Sequence, residues 1–409
     1  MNTKKPEIVF VWNYLEWGGA QLVMLGVMRL ALTRGYRVSA LIPAGTTGKI
    51  LAYLDQENVT VTFFDAHVDL AKARTVWSKI RRRGRDWRCH FVLARHLTKQ
   101  RSKDKVVFID AAPWSNFLLL SWLARQMPTF VMLHIAHSNK PTLANGLSRL
   151  KFRLLERTRF YLLASNREMK ESLRWYTTPA IWRTIPVAYT GVNVSEIRSV
   201  LAQPLDIQVE RRRFSLPDGA LVVMTLANVI ERKGFQVWLE AARLLHECEP
   251  ELVWIWVGTG EGHPVMEAFI QLHKMERFVR LIHPAQLGSQ RSDLLRFLRL
   301  ADLFVLPSYR EGLPGALLEA MALGKAVIAS NINAIPEAVQ HGENGLLVQP
   351  GNARELSDAV RRLVNNSLLR QAMGRKAQQT VLTHFLEESC AEITLDYIAQ
   401  MAGLRQEHP

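Results

Sequence analysis

The sequence predicts an α/β protein built from two doubly wound domains, and three observations carry that expectation. The first is length, since 409 residues exceed what one ordinary core sustains and two domains of about 200 residues each are expected. The second is rhythm: short β-branched runs alternate with helical segments along the chain, the pattern of βαβ units and parallel sheets. The third is a single break in that rhythm between residues 192 and 216, where Gln203, Pro204 and the run Arg211, Arg212, Arg213 read as an exposed connector. The expected layout is a first domain over 1–192, a linker over 193–216, a second domain over 217–370 and a polar helical tail over 371–409. Ligands are expected in a cleft between the two domains.

The elements follow in order. Strands are predicted in the first domain at 7–12, 37–42, 59–64, 105–109, 129–135, 160–163 and 182–188, with helices between them starting at 20–32. The second domain has predicted strands at 221–226, 252–257, 278–282, 303–306, 326–329 and 345–348. Within it, ADLFVLPS at 301–308 is an apolar run that ends as a strand at Pro307, which has no N–H to give a ladder.

Hydrophobic residues make up 48% of the chain, as in a soluble globular protein, and no run approaches the ~18 apolar residues of a membrane span. The opening MNTKKP leads straight into a strand without the apolar segment of a secretory leader. Cys89, Cys248 and Cys390 are scattered and form neither a disulfide framework nor a metal pattern. A cytoplasmic location is therefore expected. Charge is uneven: residues 1–200 hold 31 Lys/Arg against 13 Asp/Glu, and the remainder 21 against 24. Two halves of such different charge are expected to meet different surfaces.

In doubly wound folds, ligands sit beyond the carboxyl ends of the strands, so the loops after each strand hold the candidates. The most informative is EGLPGALLE at 311–319. Glu311 and Glu319 bracket a Gly/Pro turn that runs into a helix, whose first-turn N–H groups and positive dipole end favour an anion. Pro314 suits that first turn, where its missing N–H would have been unpaired. A carboxylate on each side of an anion suits the hydroxyls of a sugar or ribose.

Other loops contribute. Gly18 and Gly19 open a helix after the first strand, a pair that serves a close phosphate approach or simply a turn. The strand FVMLHIAH at 130–137 ends in two histidines, of which His137 comes last and lies nearest the expected cleft. LANVIERKG at 226–234 places Asn228, Arg232 and Lys233 between a strand and a helix. Arg232 and Lys233 are suited to a pyrophosphate, or equally to a solvated turn. VGTGEG at 257–262 brings Gly258 and Gly260 to another strand end, where they would wall a base or ribose. No Asp-x-Asp, the pair that would hold a divalent metal on a diphosphate, occurs in the chain.

These loops, taken in order, resemble the retaining glycosyltransferases of family 4, within glycosyl transferases group 1. The resemblance rests on GGA at 18–20, His137, Ala164 with Ser165, Lys233 with Gly234, VGTG at 257–260, and Ala301 with Asp302. It continues through LPS at 306–308, the E-x7-E element of 311–319 with AMALG at 320–324, Glu337, and GLL at 345–347. The match is dense over 221–365 and looser over 7–191. It implies the GT-B fold of two Rossmann-like domains facing each other across a cleft, with a nucleotide-sugar donor, UDP- or GDP-linked, on the second. By the same resemblance Glu311 meets the donor sugar hydroxyls, and the amides of Gly312 and Leu313 meet the sugar or diphosphate. Glu319 holds the ribose, Lys233 neutralises the leaving diphosphate, Gly19 approaches it from the first domain, and His137 hydrogen-bonds the sugar near the reacting carbon. No metal and no cofactor are implied. Asn228 stands where the family has an arginine, and Arg232 is the candidate to replace it. Two other positions also depart from the pattern, Thr190 before Gly191 and His283.

The segment 72–105 holds thirteen basic residues and two acidic ones, with Trp77 and Trp87 interleaved. A second basic stretch spans 149–170. In the family the first domain faces the acceptor, so these stretches suggest docking on an anionic membrane surface and a glycan or lipid-linked acceptor of envelope polysaccharide or lipopolysaccharide synthesis. A solvated helix face explains them equally. No nucleic-acid-binding motif accompanies them, so nucleic acid is not an expected partner. The expected activity is metal-independent, retaining hexosyl transfer, by an enzyme that is cytoplasmic or peripheral on the inner face of the membrane. The alternative is a GT-B protein that does not transfer, either a sugar-nucleotide epimerase or a binding protein.

Overall fold

A parallel strand covered by helices on both sides must be apolar at every position, and this requirement selects the predicted runs. The computed structural model describes residues 6–12, 19–46, 48–64, 91, 95, 97, 105–110, 117–134, 143–288 and 290–404. Among these, six strands form one sheet: β1 Glu7–Val11, β2 Arg37–Pro43, β3 Thr60–Phe64, β4 Lys105–Asp110, β5 Thr129–Leu133 and β6 Phe160–Ala164. A second sheet holds β7 Val222–Leu226, β8 Val253–Val257, β9 Val279–Ile282, β10 Leu303–Leu306, β11 Ala326–Ser330 and β12 Leu346–Val348. The orders are β3-β2-β1-β4-β5-β6 and β12-β11-β10-β7-β8-β9. The paired strands within each sheet run parallel.

The period of two along each strand divides the first core into two layers. Ile8, Phe10 and Trp12 join one cluster with Phe108, Phe130 and Met132, while Val9 and Val11 join another with Val107, Ile109 and Val131. In the second sheet the core is filled by aromatics. Trp238 packs edge-to-face on Trp254 and Trp256, at ring separations of 5.3 and 5.5 Å. Edge-to-face pairs of this kind add about 1 kcal/mol each beyond the area they bury.

The chain divides into two units, residues 1–190 with 388–409, and residues 191–387. The stretch 193–216 forms the helices Val194–Ala202 and Ile207–Arg213, and it belongs to the second unit. The sequence holds the reason: Asn193 and Asp206 each accept an N–H three residues on, at 3.0 Å, and so start a helix where a linker was expected. The helix Glu387–Ala402 carries the tail back to the first unit, where Ala391, Leu395, Tyr397 and Ile398 enter the core beside Ile8 and Phe130.

The run 182–188 is not a strand. Thr178 caps a helix Pro179–Thr184 with proline in its first turn, and the chain then meets β6 through one bridge, Ala164 to Val187. The cap and proline favour helix locally, and Pro186 has no N–H for a longer ladder. Among the described residues no helix is long and apolar enough to cross a membrane.

One lysine makes the second unit sensitive to alkaline pH. Lys325 follows the turn at Gly324 (φ +72°) and donates from Nζ to the carbonyl of Arg299 at 2.7 Å. Burial of the ammonium pushes its pKa down to about 8, a shift opposed by nearby Asp302 and reinforced by Arg299. The folded protein thus releases this proton near pH 8, whereas the unfolded chain holds it to its ordinary value of 10.5. Between those two pH values the unfolded state binds more protons, so the contribution of this residue to stability rises with pH. The unfolding free energy of the native chain, measured against Lys325→Met by denaturant titration, is expected to gain roughly 2 kcal/mol from pH 8 to 10.5. This is less than the full shift implies, because the side chain is only half-buried. A difference that stays flat over that interval contradicts the assignment.

Candidate active site

The order of the second sheet reverses between β7 and β10, which pair side by side. Crevices beyond the strand ends at such a reversal are where doubly wound sheets bind ligands. The two loops that leave these strands, 227–234 and 307–314, carry Arg232, Lys233 and Glu311. The topology therefore brings together the basic pair and the carboxylate, which lie 78 residues apart.

The loops are stitched to one another. A 3₁₀ turn over Glu231–Lys233 ends at Gly234, whose φ of +72° is left-handed. A Cβ at Gly234 would stand 1.9 Å from the carbonyl oxygen of Pro307, so only glycine allows the two backbones this close. The N–H of Tyr309 donates to the carbonyl of Arg232 at 2.9 Å, and the Arg232 guanidinium donates back to the carbonyl of Arg310 at 2.9 Å.

Glu311 lies at the centre of these contacts and is only 4% exposed. Its Oε1 accepts from Lys233 Nζ and from Ser308 Oγ, both at 2.6 Å, and Arg232 approaches Oε2 at 3.5 Å. The Glu311 N–H donates to Asn333 Oδ1 at 3.2 Å. A carboxylate this deeply buried is tolerable only with such partners. Two cations around one carboxylate leave an excess of positive charge at the strand ends, where an anion would be held.

The second carboxylate is built differently. Glu319 is 6% exposed, on the inner side of the helix Gly315–Ala322, and its Oε1 accepts from Arg291. That helix has Pro314 at its N-cap, one position earlier than expected, with no side-chain cap on its first-turn N–H groups. The helix Phe235–His246, which follows Lys233, likewise starts at Gly234 with no side-chain cap. Two sets of backbone donors therefore open beside the basic pair. Gly312 is half-buried and Leu313 buried in the loop between the two carboxylates.

The glycine loop is packed against the loop after β7. The N–H of Val229 donates to the carbonyl of Thr259 and that of Gly262 to the carbonyl of Val229, at 2.8 and 2.9 Å. Trp256 Nε1 donates to the carbonyl of Ala227 at 2.8 Å. A Cβ at Gly258 would sit 1.9 Å from that same oxygen, and one at Gly260 2.4 Å from the oxygen of Val229. Asn228 is exposed on the same loop.

In the first unit Gly19 opens the helix Gly19–Thr33. Gly18, His137 and almost all of the basic segment 72–105 lie outside the described residues. His134, the other histidine of that strand end, offers its backbone carbonyl to Ser165 Oγ and Asn166 Nδ2. Three residues join the site that the sequence did not single out for it: Ser308, Asn333 and Arg291. Ser308 stood in a motif without a role. Asn333 has φ +46°, a conformation that asparagine tolerates but nothing local announces. Arg291 lies 28 residues from its partner, too far for any spacing rule.

Two doubly wound sheets of the same order, with a charged cluster at the strand reversal of the second, define the GT-B class of fold. Residues 206–380, all within the second unit, match glycosyl transferases group 1. The chain is 28% identical over 194 residues to the lipopolysaccharide core biosynthesis glycosyltransferase LpsE of Rhizobium meliloti, covering 47% of this chain and 54% of that protein. It is 30% identical over 168 residues to the amylovoran biosynthesis glycosyltransferase AmsK of Erwinia amylovora, covering 39% and 40% respectively. It thus spans about half the length of the curated relatives it matches. Among solved structures it superposes on a glycosyltransferase from Rickettsia africae with TM-score 0.74 at 18% identity, covering 97% of this chain and 98% of that one. It also superposes on Anabaena HepE in complex with UDP, with TM-score 0.73 at 18% identity, covering 96% and 100%.

Proposed function

We propose that this protein is a retaining glycosyltransferase that moves a sugar from a UDP- or GDP-linked donor to a glycan or lipid-linked acceptor of envelope polysaccharide. The observation that carries the proposal is the cluster of Lys233, Arg232 and buried Glu311 at the strand reversal of the second unit. Relatives named for lipopolysaccharide core and amylovoran synthesis support the reaction class and the setting. The likeness to HepE, crystallised with UDP, supports a nucleoside diphosphate as the ligand.

The chemistry follows from where charge develops. As the bond from the anomeric carbon to the phosphate oxygen breaks, negative charge grows on the departing diphosphate. Preorganised cations and amides are the most effective way to stabilise it. Lys233 and Arg232, held by Glu311, supply that charge from side chains, the role a metal would otherwise fill. The uncapped N–H groups of the helices Gly315–Ala322 and Phe235–His246 add backbone donors. Arg232 takes over the place of the arginine replaced by Asn228, since its guanidinium already lies beside Glu311. The acceptor oxygen bonds to the anomeric carbon on the face the phosphate leaves. Its proton passes to the departing phosphate oxygen, which retains the configuration without a protein nucleophile. Glu319 holds the ribose.

The acceptor side is assigned to a membrane surface. The helix Leu143–Leu155 contains Arg149, Lys151 and Arg153 and no acid, and it exposes Leu150 and Leu154, each at 58%. Together with the basic segment 72–105, this composition suits the inner face of a cytoplasmic membrane.

The activity is tested by incubating the full chain with UDP-, GDP- and ADP-sugars and following donor consumption. One donor is expected to be consumed, with Lys233→Ala and Glu311→Ala reducing kcat/KM by about 100-fold or more. A wild-type chain that consumes none of them, or variants that match it, favours a binding protein. Conversion of the donor into an isomeric nucleotide-sugar favours an epimerase. The membrane assignment predicts co-sedimentation with phosphatidylglycerol vesicles that is lost on Leu150→Ser/Leu154→Ser. Equal sedimentation of both proteins contradicts it.

A further inference from the structure

Arg291 opens the helix Arg291–Leu298, and one of its guanidinium N–H groups bonds Oε1 of Glu319. The side chains are 16% and 8% exposed, so the pair is largely withdrawn from water. Arg291 is held from its other side as well. Its Nε faces Oε2 of Glu196 at 3.8 Å, and Glu196 in turn is fixed in the first turn of the helix Val194–Ala202, where its N–H donates to the Asn193 cap. The result is a row of alternating charge, Glu196, Arg291, Glu319, drawn from three separate helices.

We propose that Arg291 is a positioning residue, aiming Glu319 at the ribose of the bound nucleotide and so making the site selective for ribonucleotides. The proposal rests on the reading of Glu319 as the ribose carboxylate. A glutamate on a helix has three torsions to settle. A diol is recognised well only if the carboxylate is already in place when it arrives. The guanidinium settles it by engaging Oε1. A carboxylate has about four acceptor sites, so one charge-assisted bond from Arg291 leaves capacity for two hydroxyls. The arginine also answers an energetic need, because a carboxylate this buried is costly without a counter-charge. The planar guanidinium can meet Glu319 with one edge and Glu196 with another, which a lysine, as a point charge, cannot do.

The probes are UDP and GDP, each with its 2′,3′-dideoxy analogue, and the readout is the ratio of the two dissociation constants by calorimetry on the full chain. Because each ratio is taken within one protein, a loss of folded material cancels. The native chain is expected to prefer the ribonucleotide by about 10-fold or more. Glu319→Gln and Arg291→Ala are each expected to bring the ratio near one, with Arg291→Lys in between. If Glu319→Gln abolishes the preference while Arg291→Ala keeps the native ratio, the proposal is overturned and the ribose reading stands. If native chain and Glu319→Gln show the same ratio, or if neither nucleotide binds, the ribose reading itself fails and takes the proposal with it.

Discussion

A buried carboxylate that must not stand alone is the constraint around which the second unit is arranged. Glu311 has almost no contact with water, and each of its oxygens faces a cation. Removing a carboxylate from water costs several kcal/mol, and the cost is recovered only by close, well-directed partners. Those partners come from the other side of the strand reversal, so the pairing ties the loop after β10 to the loop after β7. Gly234 permits the approach, Ser308 completes the set of donors to the carboxylate, and Asn333 fixes the backbone. The same contacts that satisfy Glu311 hold Lys233 and Arg232 in place, ready for an anion. Stability and readiness to bind here are one arrangement seen from two sides.

Glu319 follows the same rule with a different partner. It too is buried and met by an arginine, and that arginine is itself braced by Glu196. The second unit therefore presents two oriented carboxylates, each aimed by a cation. A sugar and a ribose, both rich in hydroxyls, are the groups that such acceptors suit. The repeated sheet order explains why the site is here: each sheet reverses direction once, and in the second the reversal falls between β7 and β10.

The fold was largely legible in the sequence because parallel strands announce themselves as continuous apolar runs. Twelve of the predicted strands appear within a residue or two of their expected ends. The exception, 182–188, shows where local signals outweighed composition, with Thr178 and Pro179 starting a helix in a β-branched context. The 193–216 stretch was read as a linker from its break in the strand–helix rhythm, with Gln203, Pro204 and the run Arg211, Arg212, Arg213, although Asn193 and Asp206 are ordinary helix caps and were visible. Within the site, Lys233, Arg232 and Glu311 could be named because they sit in loops whose position after a strand is itself a signal, and Glu319 because it lies on the helix that the last of these loops opens. Arg291 and Asn333 could not, since their roles exist only once distant segments have come together. Nor does any local pattern show that Lys233 and Glu311 touch.

The central claim is that Glu311 serves an anion site by orienting its cations, and one affinity measurement tests it directly. Simple electrostatics says that neutralising a carboxylate beside a diphosphate strengthens binding. If orientation dominates, the opposite holds. Titration of UDP and GDP into the native chain and into Glu311→Gln is therefore expected to show weaker binding by the variant, by about 10-fold or more. Unchanged or tighter binding by Glu311→Gln contradicts the account.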